Sequence, residues 1–138
     1  MRINDVIRHC KSLSFYKLQD FAGENFNVVY NHIKSVSSTN PNELLIPTIF
    51  TCIATDGKLS EKEWDFIAQF IGGYSYDEAF ATAEEFFNYD AQETVQKLAD
   101  LFPGSVREAY VKMCVAIMTV DNRVTDEELI FLETLLNY

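Results

Sequence analysis

Ile53-Ala-Thr-Asp-Gly-Lys-Leu-Ser-Glu-Lys-Glu-Trp-Asp-Phe-Ile67 is answered 65 residues further on by Met118-Thr-Val-Asp-Asn-Arg-Val-Thr-Asp-Glu-Glu-Leu-Ile-Phe-Leu132. Asp56 and Asp121, Glu63 and Glu128, and Phe66 and Phe131 are identical in the two stretches. Lys58 pairs with Arg123, Leu59 with Val124 and Ser60 with Thr125, each a physical equivalent of the other. Gly57 falls opposite Asn122, and these are the two residue types that most readily take positive φ. Each copy reads as a corner between helices. An apolar helix ends, Asp with Gly or Asn makes the turn, and Leu59 or Val124 plugs it into the core. Ser60 or Thr125 then caps the next helix, and Glu63 or Glu128 closes the capping box where the helix dipole favours a carboxylate.

Helical spacing continues on either side of these corners. Pro41, after Ser37-Ser38-Thr39-Asn40, opens a helix in which Leu44, Leu45, Ile46, Ile49, Phe50, Cys52 and Ile53 are apolar nearly all round, as expected at the centre of a bundle. After Ser60, Trp64, Ile67, Phe70 and Ile71 follow at helical intervals, and Gly72-Gly73 is expected to close that helix. Two further helices are expected over about Asp77 to Tyr89 and Ala91 to Phe102, the second capped by Asp90 with Glu93. Pro103-Gly104 separates them from an amphipathic stretch with Val106, Tyr110, Met113, Ile117 and Val120 on one face. The last helix begins after Thr125 and carries Leu129, Leu132, Leu135 and Leu136. Before Ser35 the chain reads as one short and one longer helix (Phe15, Leu18, Phe21, Val28, Val29, Ile33), with Gly23 a point of interruption. The expected fold is therefore all-α, a single helical domain over residues 1–138.

Composition narrows the classes of function. A chain of 138 residues, 48% hydrophobic and 14% aromatic, buries a real core. Its formal charge of −10 argues against nucleic acid, because its eleven Lys and Arg are scattered among twenty-one acids. Basic protein surfaces and cations are the partners such a field attracts. Cys10, Cys52 and Cys114 are far apart and odd in number, which reads as reduced, buried thiols in a reducing compartment. No stretch approaches 18 apolar residues and Met1 to Lys11 has no apolar h-region, so the cytoplasm is the expected location, with no integral membrane segment.

Asp56-Gly57-Lys58-Leu59-Ser60 with Glu63 also matches the second half of an EF-hand loop. The first and third positions of that loop would then be Cys52 and Ala54, or Ile117 and Thr119 in the second copy. Calcium needs oxygen ligands there, so the EF-hand is excluded. The unit instead resembles the tellurite-resistance TerB-like family, whose signature is similar to Ala54-Thr-Asp56-Gly57-Lys-Leu59-Ser60-Glu-Lys-Glu63. The second copy departs from it at Thr119 and at Asn122 but keeps Asp121 and Glu128. The resemblance is strongest over residues 41–138, with 1–40 as N-terminal helices. It implies a bundle of about seven helices with pseudo-twofold symmetry between the repeated hairpins. It also implies a cytoplasmic or membrane-adjacent module tied to stress responses, and a divalent metal held by the acidic motif residues.

On that pseudo-dyad, Asp56, Glu63, Asp121 and Glu128 form a carboxylate cluster for Mg²⁺, Ca²⁺ or Mn²⁺. Lys58 and Arg123 are the competing neutralisers, as ion pairs. No catalytic or cofactor-binding residue is assigned. His9 and His32 lack partner spacing, and Ser35 to Ser38 lack a nucleophile elbow. Phe66, Phe70, Tyr74, Tyr76, Phe80, Phe86, Phe87 and Tyr89 crowd the middle of the chain, and any that stay exposed form an interface for a protein partner or a second copy. The expected function is a non-enzymatic binding or scaffolding module. The alternative is a metal-dependent hydrolase built on the acidic cluster.

Overall fold

The computed structural model describes residues 2–38, 41–42, 45–46, 49, 61–70, 75–78, 81, 96, 99–121, 124 and 126–136; for 121, 127, 128 and 136 the backbone alone is described. The fold is all-α, and no strand occurs among the described residues. Its bounded elements are α1 (Ile3–Ser12), α2 (Phe15–Val36), α3 (Glu61–Ile67), α4 (Gly104–Met118), a 3-10 turn over Thr119–Asp121 and α5 (Asp126–Leu136). Pro41, Asn42, Leu45, Ile46 and Ile49 are helical as well.

α1 buries Ile3, Val6, Ile7 and Cys10, the i, i+3, i+4, i+7 stripe of a helix lying on a core. Ser14 caps α2 by accepting the Lys17 N–H at 3.4 Å, and 22 residues follow without a break. Gly23 therefore does not interrupt the helix. A Cβ placed there would meet Phe70 Cε1 at 3.5 Å, an ordinary contact. Leu18, Ala22, Phe26, Val29 and Ile33 are buried, while Val28 faces outward.

α4 is the centre of the described elements. It packs most extensively against α2 and also touches α1, α3, α5 and the 3-10 turn. Burial in this stretch is not confined to the one amphipathic face that its spacing predicts. Val111, Cys114, Val115 and Ala116 are buried along with Val106, Tyr110, Met113 and Ile117. Ala109, Cys114 and Ala116 are small, which lets helices approach from several sides. Of the Leu44–Ile53 segment, Leu45, Ile46 and Ile49 are buried, and its other residues lie outside the described ones.

Burial repeats with the sequence. α3 begins at Glu61 and α5 at Asp126, equivalent positions under the 65-residue shift. Phe66 and Ile67 are buried, as are Phe131 and Leu132; Trp64 and Leu129 are half-buried; Asp65 and Ile130 are exposed. The preceding helices agree too, with Pro41 and Val106, Leu45 and Tyr110, Ile46 and Val111, and Ile49 and Cys114 all buried.

Two buried polar side chains fasten helix ends. Gln19 Nε2 donates to the carbonyls of Phe66 at 3.0 Å and Asp65 at 3.3 Å, in the last turn of α3. Arg107 Nε donates to Ala99 O at 3.0 Å, and one of its terminal nitrogens reaches Asp100 Oδ1 at 3.2 Å. A helix leaves its last carbonyls without internal donors, and here a neighbouring helix supplies them. α3 stops at Ile67, before the expected Gly72-Gly73, and Phe70 N–H closes a tight turn onto Ile67 O at 2.9 Å. Pro103 caps α4 in an extended conformation, so the break at Pro103-Gly104 falls where expected.

Candidate functional site

Of the four motif carboxylates, Glu63 has a described side chain. It lies in the first turn of α3, 6% exposed, where the helix N-terminus favours negative charge. Asp121 is the last residue of the 3-10 turn, and Glu128 lies in the first turn of α5. Asp56 lies outside the described residues, as do Lys58 and Arg123. α3 packs directly against the 3-10 turn, so the helix that bears Glu63 and the turn that bears Asp121 are neighbours. Among the described residues no three His, Cys, Asp or Glu side chains come together to hold a metal ion.

Thr119 stands where the first copy has Ala54. It is 2% exposed, and its hydroxyl donates to Val115 O one turn back in α4. That internal bond makes a polar residue tolerable at a small apolar position. Cys10 of α1 sits beside it. Burial pushes the Cys10 thiol up to about 11, against a smaller opposing pull from the Thr119 hydroxyl. Cys10 and Cys114 are both buried free thiols; Cys52 lies outside the described residues. A thiol so resistant to ionisation is a packing group and a poor nucleophile.

The histidines pack on aromatic rings. His9 meets Phe21 edge-on at 5.3 Å, and His32 meets Phe102 at 5.8 Å. Of the expected aromatic surface, Tyr76 is 41% exposed and stands edge-on to Trp64 at 5.9 Å. Tyr74, Phe80, Phe86, Phe87 and Tyr89 lie outside the described residues. The helix expected from Asp77 begins at Tyr76, because Ser75 accepts the Glu78 N–H at 3.2 Å and donates to its Oε1 at 3.0 Å. This capping box, Ser75-x-x-Glu78, is legible in the sequence by the same rule that found Ser60 and Glu63.

A groove that sequence reasoning did not reach runs between α2 and α3. One hollow of about 610 Å³ is lined by Phe15, Tyr16, Gln19, Glu61, Asp65 and Gln69, among others. A second, of about 410 Å³, shares Gln19 and Gln69 and extends past Asp20, Glu24 and Phe70. Phe15, Phe66, Phe70 and Phe26 form a run of ring contacts at 5.6, 5.8 and 5.7 Å that joins the two helices beneath it. Tyr16, 74% exposed, stands at its end. Groove residues come from segments more than 30 positions apart, so no local spacing announces them.

No family model, curated protein or solved structure matches this chain.

Proposed function

We propose that the chain is a non-enzymatic binding or scaffolding module of the TerB-like type, a bundle of about seven helices with two pseudo-symmetric hairpins. The observation that carries this reading is the repetition of burial at the 65-residue shift, from Pro41 and Val106 through Ile67 and Leu132. A duplicated hairpin keeps its inward positions because each copy must present the same stripe to the shared core. Thr119 at the motif's small apolar position is consistent with it, since its hydroxyl is satisfied within α4.

The module acts in a cytoplasmic, stress-related system, and its partner is a protein or a second copy. The buried free thiols Cys10 and Cys114 agree with a reducing compartment. No helix among the described residues is long and apolar enough to cross a membrane. Asp56, Glu63, Asp121 and Glu128 are the residues that would hold Mg²⁺, Ca²⁺ or Mn²⁺. The neighbouring of α3 and the Thr119–Asp121 turn supports that grouping.

Two measurements test the reading. Titration of the metal-free protein with each ion is expected to shift the amides of these four residues, and unchanged spectra would remove the metal from the proposal. Pull-down and sedimentation should show an association that Tyr89→Ala or Phe87→Ala weakens while the fold persists. A protein that captures nothing and stays monomeric is not a scaffold.

A further inference from the structure

We infer that the groove between α2 and α3 is a docking site for an extended, arginine-bearing segment of a partner protein. The inference rests on the binding-module reading and gives it a surface and a partner chemistry.

The groove has two charged rails. Tyr16, Asp20 and Glu24 are spaced i, i+4, i+8 along α2, and Glu61 and Asp65 are spaced i, i+4 along α3. All four acids are exposed, and none is in an ion pair among the described residues. Lys62 is the single base in the lining, so the groove carries a net charge of about −3 (four acids against one base).

The floor is polar and accepting. Gln19 is 5% exposed and lines both hollows. Its Nε2 is engaged by the carbonyls of Asp65 and Phe66, while its Oε1 receives no hydrogen bond among the described residues. An acceptor that opens onto the groove between carboxylates suits a donor that is also a cation. Guanidinium supplies five donors in a plane, forks onto carboxylates and stacks on an aromatic face such as the exposed ring of Tyr16.

Spacing selects the backbone of the guest. Residues four apart on a helix are about 6 Å apart along its axis, and alternate residues of an extended strand are separated by about 6.6 Å. An Arg-x-Arg segment lying along the groove therefore meets successive carboxylates on one rail. A guest with acidic side chains would face uncompensated repulsion.

The test uses the full chain, ¹⁵N-labelled, titrated at low salt with the peptide acetyl-Gly-Arg-Gly-Arg-Gly-amide and with its glutamate counterpart. Saturable amide shifts confined to residues 15–27 and 61–70 are expected with the arginine peptide, none with the glutamate peptide, and affinity should fall as salt is raised. Tyr16→Ala and the pair Asp20→Asn with Asp65→Asn alter exposed side chains, so the fold is kept, and each is expected to weaken binding about tenfold. Shifts on another face, shifts spread over the whole surface, no shifts, or equal affinity in the variants would each overturn the groove. The pull-down and sedimentation above judge the binding-module reading independently, because a partner that binds elsewhere leaves it standing.

Discussion

At the scale of single residues, the strongest constraints come from polar side chains in the interior. Gln19 is buried because its two amide hydrogens meet two carbonyls at the end of another helix. Leucine at that position would fill the space and leave both oxygens without a donor. Such orphaned groups cost about 1–3 kcal/mol, so Gln19→Leu is expected to lower the unfolding free energy by about 2 kcal/mol, read from the urea midpoint at unchanged m value. Gln19→Glu should cost more at neutral pH, where a carboxylate would face the same two oxygens, and should recover in part on acidification. A Gln19→Leu protein as stable as the parent would show that solvent already serves those carbonyls. Arg107 does the same work at Ala99 and Asp100 with a charged group, its side chain 4% exposed.

At the scale of elements, α2 makes the sharpest case. It runs through Gly23 with no left-handed residue and no clash awaiting a methyl group, since Phe70 lies 3.5 Å from where one would stand. Glycine in a helix interior is about 1 kcal/mol worse than alanine. Gly23→Ala is therefore expected to raise stability by about 0.5–1 kcal/mol, seen as a higher thermal midpoint; a fall would mean that Phe70 cannot yield. Helix starts were the most legible feature of the sequence, because a cap and its acid are three residues apart and act locally. α5 begins where Thr125 predicts, and the break at Pro103 holds. Helix ends were less so. α3 stops at Ile67, and its last carbonyls take their donor from 47 positions away, which no local pattern encodes. The one-faced reading of α4 failed for a related reason. Counting only its large residues hid that its small ones, Ala109, Cys114 and Ala116, are core contacts too. Of the candidate site, the sequence yields the motif acids but not their surroundings, and it offers no trace of the groove.

At the scale of the whole molecule, one helix organises the rest. α1, α2, α3 and α5 all pack on α4, and α1 also reaches α5 and the 3-10 turn. Among the described residues no helix rests on a core independent of α4, so the described body should unfold as one cooperative unit. Amide hydrogens at the middle of α4, from Tyr110 to Cys114, are expected to exchange only through global unfolding. Their exchange free energies should match the value from urea denaturation, while α1 and the ends of α2 open at less. Faster exchange in α4 than in α1 would place the core elsewhere.

The position of α4 along the chain has a bearing on biosynthesis. The ribosome releases α1, α2 and α3 well before residues 104–118 emerge. Until then, the inward stripes of α1, α2 and α3 lack α4, the helix on which all three pack. Nascent chains of this kind hold their apolar faces open for as long as the polymerisation of those last segments takes. The growing polypeptide is thus at its most vulnerable to aggregation just before residues 104–118 emerge, and it is then that a holding chaperone would be of greatest use to it.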